Sequence, residues 1–225
     1  MKNIFLLDLD DTLFDFRRGE REQILMTLAR FGFLPTMRMA ERFHEINEGL
    51  WKKLEMGEIT RERLLTLRFE ILLAEFGLTG DALQINSDYF QGLSKQAHLL
   101  DGAKEFLAAL GKLGSRYAVT NGSEFVQSRR LAAAGIEKDF DAVFVSEAVG
   151  CNKPSSAYVD YVQNHIPGFD AARAVWVGDS LTSDRGCALA MGVDFILFRP
   201  MGRPAGYDGF FAQNYREVLA LIDAM

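Results

Sequence analysis

The stretch Ile4-Phe5-Leu6-Leu7-Asp8-Leu9-Asp10-Asp11-Thr12 decides how the rest of the chain reads. Four consecutive apolar residues are too few for a helix and suit a strand buried on both faces. The run stops at an aspartate, and two more follow within three residues. Working outward, short apolar runs that end in polar residues recur. Residues 117–119 precede Thr120, 142–145 precede Ser146, 174–177 precede Gly178-Asp179, and 195–198 form a fifth run. Helical patterns over 103–113, 124–134, 156–165 and 183–191 separate them. Three of these helices are closed by Gly114, Gly135 and Gly192, and Pro167 follows the other. Strands alternating with single helices imply right-handed crossovers and a parallel sheet. A last helix is expected to start at Asn214, with Glu217 as its capping-box partner.

Between the first and second strands the pattern changes. Residues 18–30, 37–54, 61–76 and 81–93 carry helical periodicity, punctuated by Gly32, Pro35, Gly57 and Gly77. The expected fold is therefore α/β, a Rossmann-like parallel-sheet core with an inserted four-helix cap domain. Residues 1–16 and 96–225 form the core in this reading, and 17–95 form the cap.

Composition narrows the partners. The chain has 225 residues, 48 % of them hydrophobic and 25 % charged, which is ordinary for a globular protein. A net charge of −6 without a basic block argues against a nucleic-acid polymer as partner. Two cysteines, Cys151 and Cys187, are too few for a disulfide framework and fit a reducing compartment. The apolar start ends at Asp8, too soon for a signal peptide, and no run reaches membrane-spanning length. A soluble cytoplasmic protein is expected, with its oligomeric state left open.

Ligand sites of open parallel sheets lie at the carboxyl ends of the strands. Those ends carry Asp8 and Asp10, then Thr120-Asn121-Gly122, then Lys153-Pro154, then Gly178-Asp179 with Asp184 following. A carboxylate such as Asp8 can accept a phosphoryl group, and Asp10 two residues on can serve as acid and then base. Asp8, Asp179 and a backbone carbonyl such as that of Asp10 offer hard oxygens to Mg²⁺, with Asp184 completing the shell. So many carboxylates would repel an anionic substrate without a divalent ion. Thr120 offers a hydroxyl, and Asn121 and Gly122 offer backbone amides near a helix start, a ready anion site. Lys153 brings positive charge to a transferring phosphoryl group. Plainer readings stand beside these: Asp11 as a helix cap or a solvated turn, Asp184 as a first-turn acid, Lys153 as a surface lysine. His44, His98 and His165 share no metal-ligand spacing.

Together the four clusters resemble the haloacid dehalogenase-like hydrolase superfamily, over nearly the whole chain. The resemblance implies Asp8 as nucleophile, Asp10 as acid/base, Thr120 and Lys153 on the phosphoryl group, and Mg²⁺ held by Asp8, Asp179 and the Asp10 carbonyl. Leu13-Phe14-Asp15-Phe16, Leu50-Trp51, Gly57-Glu58-Ile59-Thr60, Arg68-Phe69-Glu70 and Ser146-Glu147-Ala148-Val149-Gly150 look like the pyrimidine 5′-nucleotidase branch. Departures are Ser155-Ser156-Ala157-Tyr158 after Lys153-Pro154, and Arg185 where an aliphatic residue is usual. The expected substrate is a small phosphate monoester, a nucleoside 5′-monophosphate in this branch, with Phe14 against the base. Trp51, Arg61 and Phe69 are further cap candidates, each also suited to the cap's own core. The rival is a sugar phosphatase, a sialic acid-type phosphatase or a phosphosugar mutase on the same fold. A 2-haloacid dehalogenase would not keep an acid at Asp10, and a non-catalytic binding module would not keep every motif.

Overall fold

Strand β1 (Ile4–Leu7) is buried along its whole length and pairs in parallel on both sides. Leu7 lies opposite Ala118 of β2 (Ser115–Thr120) and opposite Val177 of β4 (Ala174–Gly178). Outside these lie β3 (Ala142–Val145) on one side, and β5 (Asp194–Phe198) and the short β6 (Phe210–Ala212) on the other. The computed structural model describes all of residues 1–225, and its sheet order is β3-β2-β1-β4-β5-β6. The chain builds outward from β1 to β3, then returns to the other side of β1 at β4. The topological switch point therefore falls between β1 and β4, the place beyond the strand ends where open α/β sheets bind their ligands.

Alternation along the strands divides the side chains between two faces. Leu6, Val119, Trp176 and Leu197 share one core with Tyr158, Val159 and Val162 of α8 (Ser156–His165). Cys187, Ala188 and Met191 of α9 (Ser183–Met191) join it. Helices α5 (Ala103–Gly111) and α10 (Tyr215–Ala224) contact the sheet and each other. There Tyr215 stacks between Phe106 and Phe198 at 4.5 and 4.9 Å. Helix α6 (Glu124–Ala134) follows β2, and the single-turn α7 (Ser146–Val149) follows β3.

Contacts divide the chain into two compact units, Met1–Asp15 with Leu99–Met225, and Phe16–His98. The second holds α1 (Phe16–Arg30), α2 (Met37–Glu55), α3 (Arg61–Glu75) and α4 (Ala82–Leu93). Thr36, Thr60 and Asp81 cap α2, α3 and α4 by accepting from backbone N–H groups of the first turn. Inside this bundle Phe43, Phe69 and Tyr89 surround the buried Arg68 guanidinium. Arg68 donates to Asn47 at 3.0 Å and to Asn86 at 2.8 Å.

The expected helix over 103–113 ends two residues early at Gly111, since Lys112 and Leu113 close its last turn. Asn214 is the N-cap of α10, with Glu217 as its capping-box partner as expected. Its Oδ1 accepts from the Glu217 N–H at 3.1 Å, and Glu217 reaches back to the Gln213 N–H at 2.7 Å. Strand β6 and helix α7 were not expected, being too short for any period to show. No helix is long and apolar enough to cross a membrane.

Candidate active site

Asp8 sits one residue past β1, and its own N–H still donates to the Val177 carbonyl at 3.0 Å. The chain then turns sharply. The N–H groups of Leu13 and Phe14 both donate to the Leu9 carbonyl at 2.8 Å, with Asp11 in the left-handed region at φ 57°. Aspartate tolerates that conformation better than most residues do. Its use at position 11 is therefore conformational and not helix capping.

Asp179 lies two residues past Val177, one past the end of β4, the strand next to β1. Asp184, in the first turn of α9, points back so closely that a Cβ on Gly178 would overlap its carboxylate. Carboxylate oxygens of Asp8, Asp179 and Asp184 all lie within 4.8 Å of one another. Into this cluster reaches Lys153, only 2 % exposed. Its ammonium donates to Asp8 Oδ1 and Asp184 Oδ1, each at 2.7 Å, and to the Val119 carbonyl at 3.0 Å. An ammonium has three donors, and all three are engaged. Asn121 holds the lysine's backbone from both ends of its amide, with Nδ2 on the Lys153 carbonyl and Oδ1 accepting the Lys153 N–H. Asp184 also accepts from Trp176 Nε1 at 3.2 Å and from the Ser180 N–H at 3.1 Å.

Charge is out of balance here. Burial pushes the Asp8 carboxyl up to about 8 against the pull of Lys153, and the charge on Asp184 adds to the rise. Asp179 is raised well above the usual carboxylate range, first by burial and then by Asp8 and Asp184. Burial works against the Lys153 charge too, but Asp184 and Asp8 outweigh it and hold the ammonium well above its ordinary range. One cation faces three carboxylates. Three hard oxygens at this spacing suit a divalent ion with Mg–O distances of about 2.0–2.1 Å, across which opposite ligands stand about 4 Å apart.

Asp10 lies outside that cluster. Its carboxylate is held by two side chains of α6, Arg130 on Oδ1 and Gln127 Nε2 on Oδ2 at 2.7 Å. The Thr120 hydroxyl, at the end of β2, accepts from the Gly122 N–H and from Gln127 Nε2, both at 3.0 Å.

Three expectations change. The Gly122 amide turns back on Thr120 and does not face an anion. The start of α6 already has its anion, because Glu147 Oε2 accepts from Ser123 Oγ at 2.9 Å and from the Glu124 N–H at 2.8 Å. Phe14, expected against a substrate base, is fully buried. The turn folds it back beneath the Arg130 guanidinium, 4.2 Å above its ring, so the ring has no surface to offer a ligand. Phe69 likewise packs wholly inside the helical unit, and Arg61 lies over the Trp51 ring at 5.4 Å.

Four further residues hold the site that no motif marked: Gln127, Arg130, Trp176 and Arg199, whose Nε donates to the Asp179 carbonyl at 3.0 Å. A signal existed for the first two. They interrupt the buried stripe of α6 that Leu131 and Ala134 continue.

Fold and site together define a hydrolase core of Rossmann-like design, with an acidic cluster at its switch point and a helical unit inserted after the first strand. The chain belongs to the haloacid dehalogenase-like hydrolase family, whose model matches residues 2–192. It is 35 % identical over 200 residues to the HAD-hydrolase YfnB of Bacillus subtilis, covering 88 % of this chain and 85 % of that one. The crystal structure of YfnB bound to magnesium superposes with a TM-score of 0.93 at 30 % identity, over 99 % of both chains. The pyrimidine 5′-nucleotidase PynA of Streptococcus pneumoniae is 32 % identical over 196 residues, 87 % of this chain and 83 % of that one. The L-2-haloacid dehalogenase of Xanthobacter autotrophicus shares the fold, with a TM-score of 0.75 at 19 % identity over 100 % of both chains.

Proposed function

We propose that this protein is a Mg²⁺-dependent phosphatase that hydrolyses a small phosphate monoester through an aspartyl phosphate on Asp8. One observation carries the reading. Asp8, Asp179 and Asp184 converge with Lys153 at the switch point, while the Asp10 carboxylate stands apart under its own hydrogen bonds. That separation divides nucleophile from acid/base, a division of labour that dehalogenation does not need. Asp8, Asp179 and the Asp10 carbonyl would hold the metal, with Asp184 next to them. A bound Mg²⁺ supplies the positive charge that lets the carboxylates ionise together and screens the phosphoryl oxygens.

The residues then act in order. Lys153 donates to Asp8 Oδ1, which leaves Oδ2 to attack phosphorus. The bond from phosphorus to the ester oxygen breaks, and Asp10 gives that oxygen a proton. In the second half Asp10 takes a proton from water, the water oxygen attacks phosphorus, and Asp8 leaves as a carboxylate. Thr120 and Lys153 hold phosphoryl oxygens, Lys153 by moving one donor from a carboxylate to the phosphoryl group.

The substrate within this class is a nucleoside 5′-monophosphate, a reading supported by the likeness to a pyrimidine 5′-nucleotidase. An activity screen with Mg²⁺ over pyrimidine and purine monophosphates, hexose phosphates and sialic acid phosphate tests both levels. Pyrimidine monophosphates should show the highest kcat/KM, and excess chelator should abolish turnover. Full activity in chelator would sink the metal mechanism, and a win for the sugar phosphates would replace the nucleotidase reading alone.

A further inference from the structure

Helix α6 places two side chains, Gln127 and Arg130, in the core behind the site, each only 1 % exposed. A carboxamide and a guanidinium so deeply buried cost free energy unless their hydrogen bonds are made, and here the bonds go to two candidate site residues. Arg130 donates to Asp10 Oδ1 and, at 3.1 Å, to Gln127 Oε1. The cation thereby fixes which end of the amide is oxygen. Both hydrogens of Gln127 Nε2 are then accounted for, one on Asp10 Oδ2 at 2.7 Å and one on Thr120 Oγ1 at 3.0 Å. Gly122 leaves the room this needs, because a Cβ there would overlap the Gln127 amide.

Counting valences shows what the arrangement does. A hydroxyl has one donor and two acceptor lone pairs. Both lone pairs of Thr120 are taken, by the Gly122 N–H and by Gln127. Its own proton is the remaining valence and must point elsewhere, toward an acceptor. A phosphoryl oxygen, which only accepts, is the matching ligand. On Asp10, each oxygen has one in-plane position filled and one left for a proton or a water.

We propose that Gln127 and Arg130 are positioning residues for phosphoryl transfer. One amide locks the acid/base carboxylate of Asp10 and the phosphate-holding hydroxyl of Thr120 into a common register. Arg130, 4.2 Å over the Phe14 ring, locks that amide. The inference rests on the phosphatase reading above, in which Asp10 protonates the leaving group, and it adds what aims Asp10 and Thr120.

The test compares kcat/KM for p-nitrophenyl phosphate, whose leaving group needs little protonation, with that for a primary alkyl phosphate, whose leaving group needs it. Wild type, Asp10→Asn, Gln127→Leu, Gln127→Glu and Arg130→Met are measured, with inhibition by inorganic phosphate and a thermal melt for each. Gln127→Leu should lower kcat/KM on the alkyl ester by about 10²-fold, the order expected for a misplaced catalytic group, and on the aryl ester several-fold less. Its inhibition by phosphate should weaken, since the Thr120 proton is no longer directed. Gln127→Glu keeps the shape but can offer at most one proton where the amide offers two, so it cannot serve Asp10 and Thr120 together; it should show the same split, and it decides the matter if Gln127→Leu does not fold. Arg130→Met should show the same split in milder form. Asp10→Asn should show the leaving-group split. If Asp10→Asn shows no split, the acid/base reading fails and this proposal with it. If Asp10→Asn shows the split while the Gln127 variants lose both esters equally, or lose only melting temperature, the positioning role alone is overturned.

Discussion

Lys153 holds two carboxylates and a carbonyl with one ammonium, and this makes it the residue on which the unliganded site depends. Removing one partner of a buried ion pair usually costs about 3–5 kcal/mol, because the other charge is left without compensation. Here Asp8 and Asp184 would both be left facing Asp179. Lys153→Met should therefore lower the melting temperature of metal-free protein, and added Mg²⁺ should restore more stability to the variant than to wild type. It should also raise KM and lower kcat together, because the ammonium contacts the phosphoryl group before and during transfer. Metal-free Lys153→Met melting like wild type would show that the ammonium does not hold the site together. Asp8→Asn should abolish turnover in a folded protein, and wild-type rate in that variant would falsify its role as nucleophile. Asp8 and Asp179 were legible in the sequence because each stands one residue past a strand, and Lys153 and Asp184 because each lies in the polar stretch that follows one. For Gln127 and Arg130 the sequence shows only that polar residues break a buried helical stripe, and three-dimensional packing alone reveals what they reach. Phe14 was misjudged for a similar reason. Motif spacing places the residue, and the left-handed turn at Asp11 then decides which way it faces.

Within the helical unit, α1 and α2 meet through a buried polar contact. Glu20, 1 % exposed, accepts from His44 Nδ1 at 2.6 Å and from Asn47 Nδ2 at 2.7 Å. The hydrogen bond to Glu20 is the main cause that raises the His44 pKa above its ordinary 6.5; burial opposes it and the Glu20 charge adds to it. A folded-state pKa above the unfolded one means the folded unit binds the proton more tightly. The stabilisation is fully present below about pH 6.5 and is lost as pH rises through the higher folded-state value. Hydrogen exchange of α1 and α2 should therefore quicken, beyond its intrinsic pH dependence, across neutral pH. In His44→Gln that extra slope should vanish; its persistence would assign the pH response to another group. Element by element, the long periodic segments were legible, with α6, α8 and α9 starting and stopping where glycine, proline and polar residues said they should. What escaped was short. Helix α7 spans one turn and β6 three residues, too few for either periodicity to register, and both are made by tertiary context.

Over the whole molecule, every candidate catalytic, metal and phosphate residue belongs to the unit formed by Met1–Asp15 and Leu99–Met225. Of the four helices of Phe16–His98, three have their own side-chain caps, and the unit has its own aromatic core around Arg68. A ligand that binds only the folded form stabilises whatever unfolds with its site, by RT ln(1 + [L]/Kd), about 2.7 kcal/mol at a hundredfold excess over Kd. Mg²⁺ should accordingly stabilise the first unit selectively. The two tryptophans fall one in each unit, Trp51 on α2 and Trp176 buried in β4, so Trp51→Phe leaves a fluorescence signal from the sheet alone. Trp176 donates to Asp184 and cannot be replaced without disturbing the site, so hydrogen exchange must report on the helical unit. With saturating Mg²⁺, the urea midpoint of Trp51→Phe should move up, and protection should rise in β1, β4 and the start of α9. Protection of α2 and α3 should stay where it was. Equal gains in both units would mean that they unfold as one, and the division by contacts would then have no energetic counterpart. A midpoint that ignores Mg²⁺ while activity requires it would place the metal with the substrate and not with the free protein.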